Sequence, residues 1–321
     1  MLKILVTGAA GFIGSNLVEY FLNKGYLVTG LDNFSTGKRS NISSFVNLDS
    51  FEFIEGDIRD LNTCRKAVEN CEYVLHQAAL GSVPRSIKDP ITSNEVNVGG
   101  FLNMLVACKD AKVKKMIYAA SSSTYGDSKE LPKIEDQIGK PLSPYAVTKY
   151  VNELYADVFY KTYGLNTIGL RYFNVFGRRQ DPESTYAAVI PIFTKQLKNK
   201  KSPTINGDGS FSRDFTYIDN VVQANELAML TSNPRAENAI FNIACGAQTT
   251  LNQLVELLKY NLSKFDPKIA NIAVNHASER IGDIPHSLAA IDKARQLLGY
   301  EPSHTITDGI EEAVKWYWDN L

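Results

Sequence analysis

The sequence predicts an α/β protein built on a doubly wound parallel sheet, with a smaller mixed C-terminal domain. Three observations support this fold class. Short apolar runs alternate with amphipathic stretches through the N-terminal half, a glycine-rich loop follows the first apolar run, and the alternation loosens after residue 174. Repeated strand, helix and strand with right-handed crossovers places parallel strands between two helical layers. The chain has 321 residues and is 44% hydrophobic, which suffices for one large domain or two unequal ones.

The N-terminal half contains six apolar runs of strand length and four longer amphipathic stretches. The predicted strands are Lys3–Thr7, Leu27–Leu31, Phe51–Ile54, Tyr73–His76, Lys115–Ala120 and Leu165–Arg171. The predicted helices are Gly14–Lys24, Leu61–Val68, Ile91–Lys109 and Tyr145–Tyr163, because their apolar residues recur at helical spacing. Gly25 provides a stop signal after the first helix.

Two domains are predicted from this change of pattern. Residues 1–173 form the nucleotide-binding domain, and residues 174–321 form a substrate domain with helices at Val189–Lys198 and Leu251–Leu262. Segments at about 215–245, comprising Phe215–Leu230 and the strand-like Ala239–Ala244, are expected to return to the first domain.

Composition excludes several classes of protein. Lys plus Arg number 34 and Asp plus Glu 35, with no run of like charge, so we expect neither a nucleic-acid nor a membrane-surface partner. No window approaches the roughly 18 apolar residues of a membrane span, and no secretory leader is visible. The four cysteines lack a C-x-x-C pair, which favours reduced thiols and a cytoplasmic location. The four histidines show no metal spacing, and no metal site is expected.

The glycine-rich loop follows the first strand and opens the first helix. Gly8, Gly11 and Gly14 form a G-x-x-G-x-x-G pattern that also contains Phe12 and Ile13. Gly8 permits the tight turn, Gly11 lets backbone N–H groups approach a pyrophosphate, and Gly14 lets the helix pack closely. An ordinary strand-to-helix turn can also contain such glycines. The strand before and the helix after favour a dinucleotide loop here.

An acidic residue at the end of the second strand indicates the cofactor. Asp32 can accept hydrogen bonds from both adenosine ribose hydroxyls, and its charge repels a 2′-phosphate, so NAD is preferred to NADP. The remaining predicted cofactor contacts follow the second, third and fourth strands and are Asn33, Ser35, Thr36, Gly37, Asp57, Ile58, Ala78 and Ala79.

The candidate catalytic residues are a tyrosine, a lysine and a serine run. Tyr145 and Lys149 lie one helical turn apart on one face, and a lysine near a phenol favours phenolate. A phenolate near neutrality can take a proton from a substrate hydroxyl. Ser121, Ser122 and Ser123 follow the fifth strand, at the edge where doubly wound folds bind ligands. A surface Tyr–Lys pair and a polar strand end are the alternatives; the coincidence of three features favours a site.

These motifs resemble those of an extended short-chain dehydrogenase/reductase, a family with a Rossmann fold. The match comprises the glycine loop, Ser121–Ser123 with Tyr125-Gly126, Tyr145-x-x-x-Lys149 and Arg171–Asn174. Within that family the chain most resembles nucleotide-sugar 4-epimerases, in particular bacterial UDP-N-acetylglucosamine 4-epimerases. The stretches that carry this likeness are Leu80–Ser86, Leu142–Tyr150, Arg171–Asp181, Tyr186–Pro191, Asn206–Asp219 and Gly282–Leu288.

The resemblance implies a mechanism in which NAD stays bound. Tyr145 would remove the C4-OH proton while hydride leaves C4, the 4-keto sugar would rotate, and hydride would return to its opposite face. Ser121 or Ser123 would bind the 4-oxygen and relay the proton, with help from Ser122. Lys149 would hold the cofactor and lower the Tyr145 pKa.

The resemblance also implies a UDP-sugar site. Arg213 and Arg280 would bind the diphosphate, since guanidinium groups match phosphate oxygens, although surface ion pairs are the alternative for both. The other implied contacts with the UDP-sugar are Ser82, Arg85, Ser123, Asn174, Ala188, Val189, Asn206, Asp283 and Ser287. Ser287 is small where hexose-restricted relatives are bulky, which leaves room for an acetamido group. Ala290 departs from the family, whose members often carry Asp there.

The leading hypothesis is therefore conversion of UDP-GlcNAc to UDP-GalNAc. The alternatives are a UDP-glucose 4-epimerase, a UDP-uronic-acid epimerase or decarboxylase, and a 4,6-dehydratase, which would want an acid–glutamate pair after the serines. A non-catalytic dinucleotide-binding module is a further alternative. Family members pair, so Phe101–Cys108 and Val151–Phe159 are expected to form a homodimer face, with burial against the sheet as the alternative.

Overall fold

The computed structural model describes residues 2–182, 188–279 and 284–321. The strands in these ranges are β1 (Lys3–Thr7), β2 (Leu27–Asp32), β3 (Phe51–Glu55), β4 (Tyr73–His76), β5 (Lys115–Ser121), β6 (Thr167–Tyr172), β7 (Val175–Phe176), β8 (Thr204–Asn206), β9 (Ser212–Arg213), β10 (Thr216–Tyr217), β11 (Ile240–Ile243), β12 (Thr249–Thr250) and β13 (Asn275–Ala277). The helices are α1 (Phe12–Asn23), α2 (Leu61–Ala67), α3 (Val83–Lys88), α4 (Pro90–Asn94), α5 (Phe101–Asp110), α6 (Pro144–Tyr163), α7 (Val189–Lys198), α8 (Ile218–Leu230), α9 (Leu251–Ser263), α10 (Asp292–Leu298) and α11 (Ile306–Asn320).

A seven-stranded parallel sheet organises the molecule. Its strand order is β11-β6-β5-β4-β1-β2-β3, with every neighbouring pair parallel. The chain order reverses between β1 and β4, and doubly wound sheets bind ligands at such a switch point. The predicted fold class is confirmed, and all six predicted strands are present.

Two helical layers cover the sheet. Helices α1 and α8 pack together on one face, and α2, α5 and α6 cover the other. Buried side chains such as Leu17 and Phe21 of α1 and Phe101 and Met104 of α5 fill the spaces between helices and sheet. The sheet strands are short and apolar because both of their faces are buried.

The stretch predicted as one helix, Ile91–Lys109, is interrupted in the structure. A π-helical segment, Glu95–Gly100, separates α4 from α5. The buried Asn97 side chain in this segment bonds the backbone N–H and C=O of Leu80, at 2.7 and 3.2 Å. Widened helical turns of this kind frequently occur at functional sites.

The C-terminal part contains small sheets and a helical layer. Strand β8 pairs with β13, β9 with β12, and helices α7, α9 and α11 pack against one another. Strand β11 adds to the large sheet beside β6, where the sequence analysis expects a returning segment. Helices α10 and α11 were not predicted from the sequence. The division of the chain at residue 174 stays a proposal.

No described helix is both long and apolar enough to cross a bilayer. The cysteines Cys64, Cys71, Cys108 and Cys245 are all free thiols. Burial raises the pKa values of Cys64 to about 12 and Cys71 to about 11, so these thiols stay protonated and inert.

A buried ion pair joins α6 to the sheet. Arg171 on β6 donates from Nε and Nη2 to the two carboxylate oxygens of Glu153, each at 2.8 Å, and both side chains are 3% exposed. The third donor, Nη1, bonds the carbonyl of Glu135 at 2.8 Å. The three guanidinium nitrogens of Arg171 and both carboxylate oxygens of Glu153 thus have hydrogen-bond partners. A buried ion pair is tolerated only when its polar atoms are paired in this way.

Replacing Glu153 with Gln leaves the Arg171 guanidinium buried without a counter-charge. We expect the free energy of unfolding to fall by about 3–5 kcal/mol, measured by urea denaturation. Lys161→Gln, which breaks the exposed pair with Asp157 on the same helix, is the control and is expected to have no measurable effect. Equal stability losses in the two variants would contradict this account.

Candidate active site

The glycine loop forms a backbone cradle between β1 and α1. Gly8 has φ +68°, and a Cβ there would lie 2.9 Å from the Ala78 nitrogen. A Cβ at Gly14 would lie 2.0 Å from the Gly8 oxygen, so the helix can approach the turn only without a side chain. The N-terminus of α1 therefore points its free N–H groups into the space above the loop, which fits a pyrophosphate.

Asp32 closes this cradle at the end of β2. Its carboxylate accepts from the backbone N–H of Ala10 at 2.9 Å and of Phe34 at 2.7 Å. Burial raises the pKa of Asp32, and the backbone hydrogen bonds oppose this rise. The carboxylate has lone pairs in excess of these two bonds, so it can still accept from ribose hydroxyls.

A cavity of about 580 Å³ lies along the carboxyl edge of β1, β2 and β4. It brings together most of the predicted cofactor residues: Gly8, Gly11, Phe12, Ile13, Gly14, Asp32, Asn33, Ser35, Thr36, Asp57, Ile58, Ala78 and Ala79. Gly37 does not line the cavity but packs behind it, because a Cβ there would lie 2.8 Å from Ala10. This volume and these residues fit an extended dinucleotide.

Asp57 and its neighbours shape the far end of this cavity. Asn33 Nδ2 donates to Asp57 at 2.9 Å. The Arg59 guanidinium, hydrogen-bonded to the carboxylate, holds the pKa of Asp57 at about 2. Asp57 is therefore an ionised acceptor at the cavity wall, where the sequence analysis places the adenine edge.

A segment from beyond the sheet crosses the first turn of the cradle. This crossing segment, residues 177–181, is held by Arg179 bonding both oxygens of Glu19 on α1, at 3.0 and 2.7 Å. Lys38 pairs with Asp181 at 2.9 Å, and Asp181 itself lines the cavity. The crossing segment was not predicted to contact the cofactor site, since its partners are distant in sequence.

The catalytic candidates lie at the carboxyl end of β5. Helix α6 begins here because Ser143 caps it, accepting from the Ala146 N–H at 3.1 Å, with Pro144 at the first position. The Tyr145 N–H donates to Ser86 at 3.0 Å, and Lys149 donates to the Ala119 carbonyl at 2.9 Å. Tyr145 and Lys149 thus lie one turn apart on the same side of α6.

Ser121 is the hydroxyl at the centre of the serine run. It accepts from Ser123 Oγ at 2.9 Å and from the Ser123 N–H at 3.1 Å. Its own proton is therefore directed elsewhere, and a hydrogen bond with Ser121 lowers the pKa of Tyr145. Ser122 begins a short 3₁₀ turn and makes no hydrogen bond to these groups in the described chain. The geometry thus fixes Ser123 and Ser121 to each other, and Ser121 is the group that favours the phenolate form of Tyr145.

The pKa of Tyr145 is shifted in the direction opposite to the expected one. The family resemblance implied that Lys149 lowers this pKa. In the structure, burial raises the pKa of Tyr145, and the opposing group is Ser121. The Lys149 ammonium lies 6.0 Å from the centre of the Tyr145 ring and is itself buried, which lowers its own pKa to about 8. Burial acts on both groups against their charged forms, and sequence spacing cannot reveal that.

A second cavity, of about 470 Å³, lies beside the first. Five of the predicted substrate residues line it, namely Asn174, Ala188, Val189, Asn206 and Arg213. Ala188 also borders the first cavity, as does Arg85. The two cavities are thus adjacent, with Ala188 in the wall between them.

The other predicted substrate residues are placed differently. The Ser82 hydroxyl caps α3 by accepting from the Arg85 N–H at 3.1 Å, which gives it a structural role. Ser287 is half-buried, and its N–H donates to the carbonyl of Ser212 at 3.0 Å. Arg280 and Asp283 lie outside the described residues.

Asp214 is a buried acid that was not predicted as a site residue from the sequence. Its carboxylate accepts from the N–H groups of Cys245 at 3.0 Å, Gly246 at 3.1 Å and Ala289 at 3.2 Å. Burial raises its pKa to about 6. Its hydrogen bonds hold the segments at Cys245–Gly246 and at Ala289 beside Arg213. The only sequence signal for Asp214 is its position directly after an arginine in a polar stretch.

The fold and these two cavities define a nicotinamide-dependent enzyme of doubly wound architecture. The chain matches the NAD dependent epimerase/dehydratase family over residues 4–244 and belongs to that family. NAD is accordingly the cofactor, and the glycine cradle and Asp32 are the features of this chain that fit it.

Individual relatives span the whole chain. A putative UDP-glucose 4-epimerase of Methanocaldococcus jannaschii is 36% identical over 99% of both chains. The structure is similar to a UDP-N-acetylglucosamine 4-epimerase from Methanobrevibacter ruminantium bound to UDP-N-acetylmuramic acid, with 38% identity, a TM-score of 0.93 and coverage of 100% and 99%. It is also similar to a UDP-glucuronic acid 4-epimerase from Bacillus cereus bound to UDP-glucuronic acid and NAD, with 33% identity, a TM-score of 0.89 and full coverage of both chains.

Proposed function

We propose that this protein is a UDP-sugar 4-epimerase whose substrate is UDP-GlcNAc, which it converts to UDP-GalNAc. The observation that carries the proposal is the adjacency of the two cavities. One contains the NAD cradle and the other contains Arg213 and a largely apolar wall, with Ala188 shared between them. The named relatives act on UDP-sugars at C4, which supports an isomerase of this kind.

Tyr145 begins the reaction by taking the proton from the C4 hydroxyl. Ser121 donates a hydrogen bond to the phenol oxygen and so stabilises the phenolate, while Ser123 holds Ser121 in this orientation. NAD, which the glycine cradle and Asp32 would hold, would supply the hydride acceptor and donor for C4. Lys149, fixed on the Ala119 carbonyl, places a positive charge 6.0 Å from the centre of the Tyr145 ring.

The proposed mechanism requires that the nucleotide part of the substrate is held while the sugar rotates. Arg213 and Asn174 hold the nucleotide part, and Arg213 itself is fixed by donating to the carbonyls of Ser212 and Pro285, at 2.9 and 3.1 Å. The sugar projects from the anchored diphosphate toward Tyr145 and can present either face after oxidation. Epimerisation requires this freedom, because hydride must return to the opposite face.

The preference for an N-acetylated sugar rests on Ser287. The Ser287 N–H donates to the carbonyl of Ser212, which forms β9 together with Arg213. This hydrogen bond fixes Ser287 relative to Arg213. A serine side chain leaves space that a tyrosine would fill, and a bulky residue there would disfavour the acetamido group. The relative from Methanobrevibacter ruminantium, a UDP-N-acetylglucosamine 4-epimerase, is consistent with this choice of sugar.

We further propose a homodimer formed around α6. Val147, Leu154 and Val158 share one face of this helix and are 48%, 49% and 51% exposed. Helices α3 and α4, which pack against α6, add the exposed Ile87 and Ile91. The apolar side chains of α5 are largely buried against the sheet, so α5 contributes less to this face than the sequence indicated.

NMR of the purified protein with UDP-GlcNAc is expected to show UDP-GalNAc without added NADH. Tyr145→Phe should lower kcat by about 10²- to 10⁴-fold, because the proton acceptor is lost. The variant should retain bound NAD, measured by absorbance after denaturation. A wild-type protein inert toward UDP-GlcNAc, or a fully active Tyr145→Phe variant, would contradict the proposal.

Ser287→Tyr is expected to lower kcat/KM for UDP-GlcNAc by about 10- to 100-fold and to spare UDP-glucose, if the latter turns over, because the added ring occupies the acetamido space. Ser287→Ala, which keeps the position small, is the matched control and should behave as wild type. Parallel assays measure the ratio of kcat/KM for UDP-GlcNAc to kcat/KM for UDP-glucose. An unchanged ratio in Ser287→Tyr would remove Ser287 as the specificity residue.

Light scattering is expected to give twice the chain mass for the wild-type protein. Val158→Lys places a charge on the proposed apolar face and should give a monomer. Leu230→Lys, at a similarly exposed apolar residue on α8, should leave the dimer intact. A monomeric wild-type protein would reject the dimer.

A further inference from the structure

The crossing segment, residues 177–181, begins at a firmly held point. The hydroxyl of Tyr317 on α11 accepts from the Gly177 N–H at 3.3 Å and donates to the Gly177 carbonyl at 3.1 Å. Arg178 donates from Nη1 to Asp219 on α8 at 2.7 Å. Because Tyr317 is fully buried, this end of the crossing segment is anchored to the packed interior of the protein.

The other end of the crossing segment joins two walls of the first cavity. Arg179 donates to both oxygens of Glu19 on α1, at 3.0 and 2.7 Å, and Asp181 pairs with Lys38 in the loop after β2 at 2.9 Å. Gln180 and Asp181 themselves line the cavity. The glycine loop, the loop after β2 and the crossing segment therefore meet around the space that fits the pyrophosphate and adenosine of NAD.

The ion pair between Arg179 and Glu19 holds a strained stretch of backbone. Arg179 has φ +68°, in the left-handed region that favours glycine and costs free energy for a residue with a side chain. Such a conformation persists only where surrounding contacts impose it. Burial acts to raise the pKa of Glu19, but Arg179 and Arg178 outweigh it and hold this pKa below its usual value. Glu19 is therefore an ionised partner that compensates for the backbone conformation of Arg179.

The chemistry of an epimerase explains why a closed cofactor cavity is useful. A dehydrogenase exchanges its cofactor in every cycle, whereas an epimerase takes a hydride from a sugar and returns it to the same sugar. Loss of the reduced cofactor between these two steps would leave a keto sugar behind. A segment that closes over a site keeps the bound molecule there until the reaction is complete.

We propose that Glu19 is a positioning residue for cofactor retention, which holds the crossing segment closed across the first cavity through Arg179. Glu19 does not line the cavity, so it acts on NAD only through the crossing segment. It governs how fast NAD leaves the protein and not the hydride transfer at C4. The proposal concerns the cofactor and does not depend on which UDP-sugar is the substrate.

Glu226 provides a matched control. It lies on α8 and contacts Tyr20 and Lys24, two other side chains of α1. Glu19→Gln and Glu226→Gln each remove one carboxylate charge from a contact of α1 and keep the length of the side chain. Only the contact of Glu19 includes the crossing segment.

The rate of NAD exchange measures retention directly. Purified protein loaded with NAD is mixed with excess radiolabelled NAD, and the label bound to the protein is followed over time. Glu19→Gln is expected to exchange NAD about 10-fold faster than wild type, because a charge-assisted bidentate contact is weakened. Glu226→Gln is expected to exchange NAD as wild type does. At saturating NAD, kcat of Glu19→Gln for UDP-GlcNAc should stay within about 2-fold of wild type, because Glu19 is remote from the reacting atoms.

A second variant tests whether Glu19 acts through Arg179. Arg179→Met removes the same ion pair and should accelerate exchange by a similar factor, and the double variant should add little, because the two changes remove one contact. Unaltered exchange in Glu19→Gln, equal acceleration in Glu226→Gln, or multiplied effects in the double variant would overturn the proposal. A wild-type protein that holds NAD yet epimerises no UDP-sugar would overturn only the proposed function, since exchange is measured without substrate.

Discussion

The active site depends on the buried ion pair between Arg171 and Glu153. Glu153 lies one helical turn beyond Lys149, so the pair fixes the helix that carries both catalytic candidates against β6. The Glu135 carbonyl takes the third donor of Arg171. Because the pair is buried away from water, its geometry can vary little. The position of α6, and with it that of Tyr145 and Lys149, is fixed to the same extent.

The same interaction extends toward the substrate side. Glu135 Oε1 accepts from the Asn242 N–H on β11 at 2.9 Å, and the Asn242 amide donates to the carbonyls of Lys133 and Ala290, at 2.9 and 3.0 Å. Ala290 follows three residues after Ser287. A hydrogen-bonded path therefore runs from the catalytic helix through the sheet edge to the segment proposed to contact the sugar. The proposed catalytic residues and the proposed specificity residue are therefore linked through the same hydrogen bonds.

Much of this arrangement could be predicted from the sequence because it depends on local signals. Apolar runs fixed the strand positions, and parallel pairing then brings Asp32, Ala78 and Ser121 to one edge. Other features depend on contacts between distant residues. The partners of Asp214 are backbone N–H groups 31 to 75 positions away, and no side-chain pattern encodes them. Burial of Tyr145 likewise arises only from tertiary packing, and it raises a pKa that the spacing to Lys149 led us to expect to be lowered.

The position of Ala188 between the two cavities limits which ligands can occupy both. Because this residue borders both cavities, a molecule that occupies both must be long enough to reach past it. A free monosaccharide has no such handle and would gain almost nothing from the second chamber. Under the proposed function, the nucleotide would serve as a tether and would let the hexose at its end rotate without leaving the site.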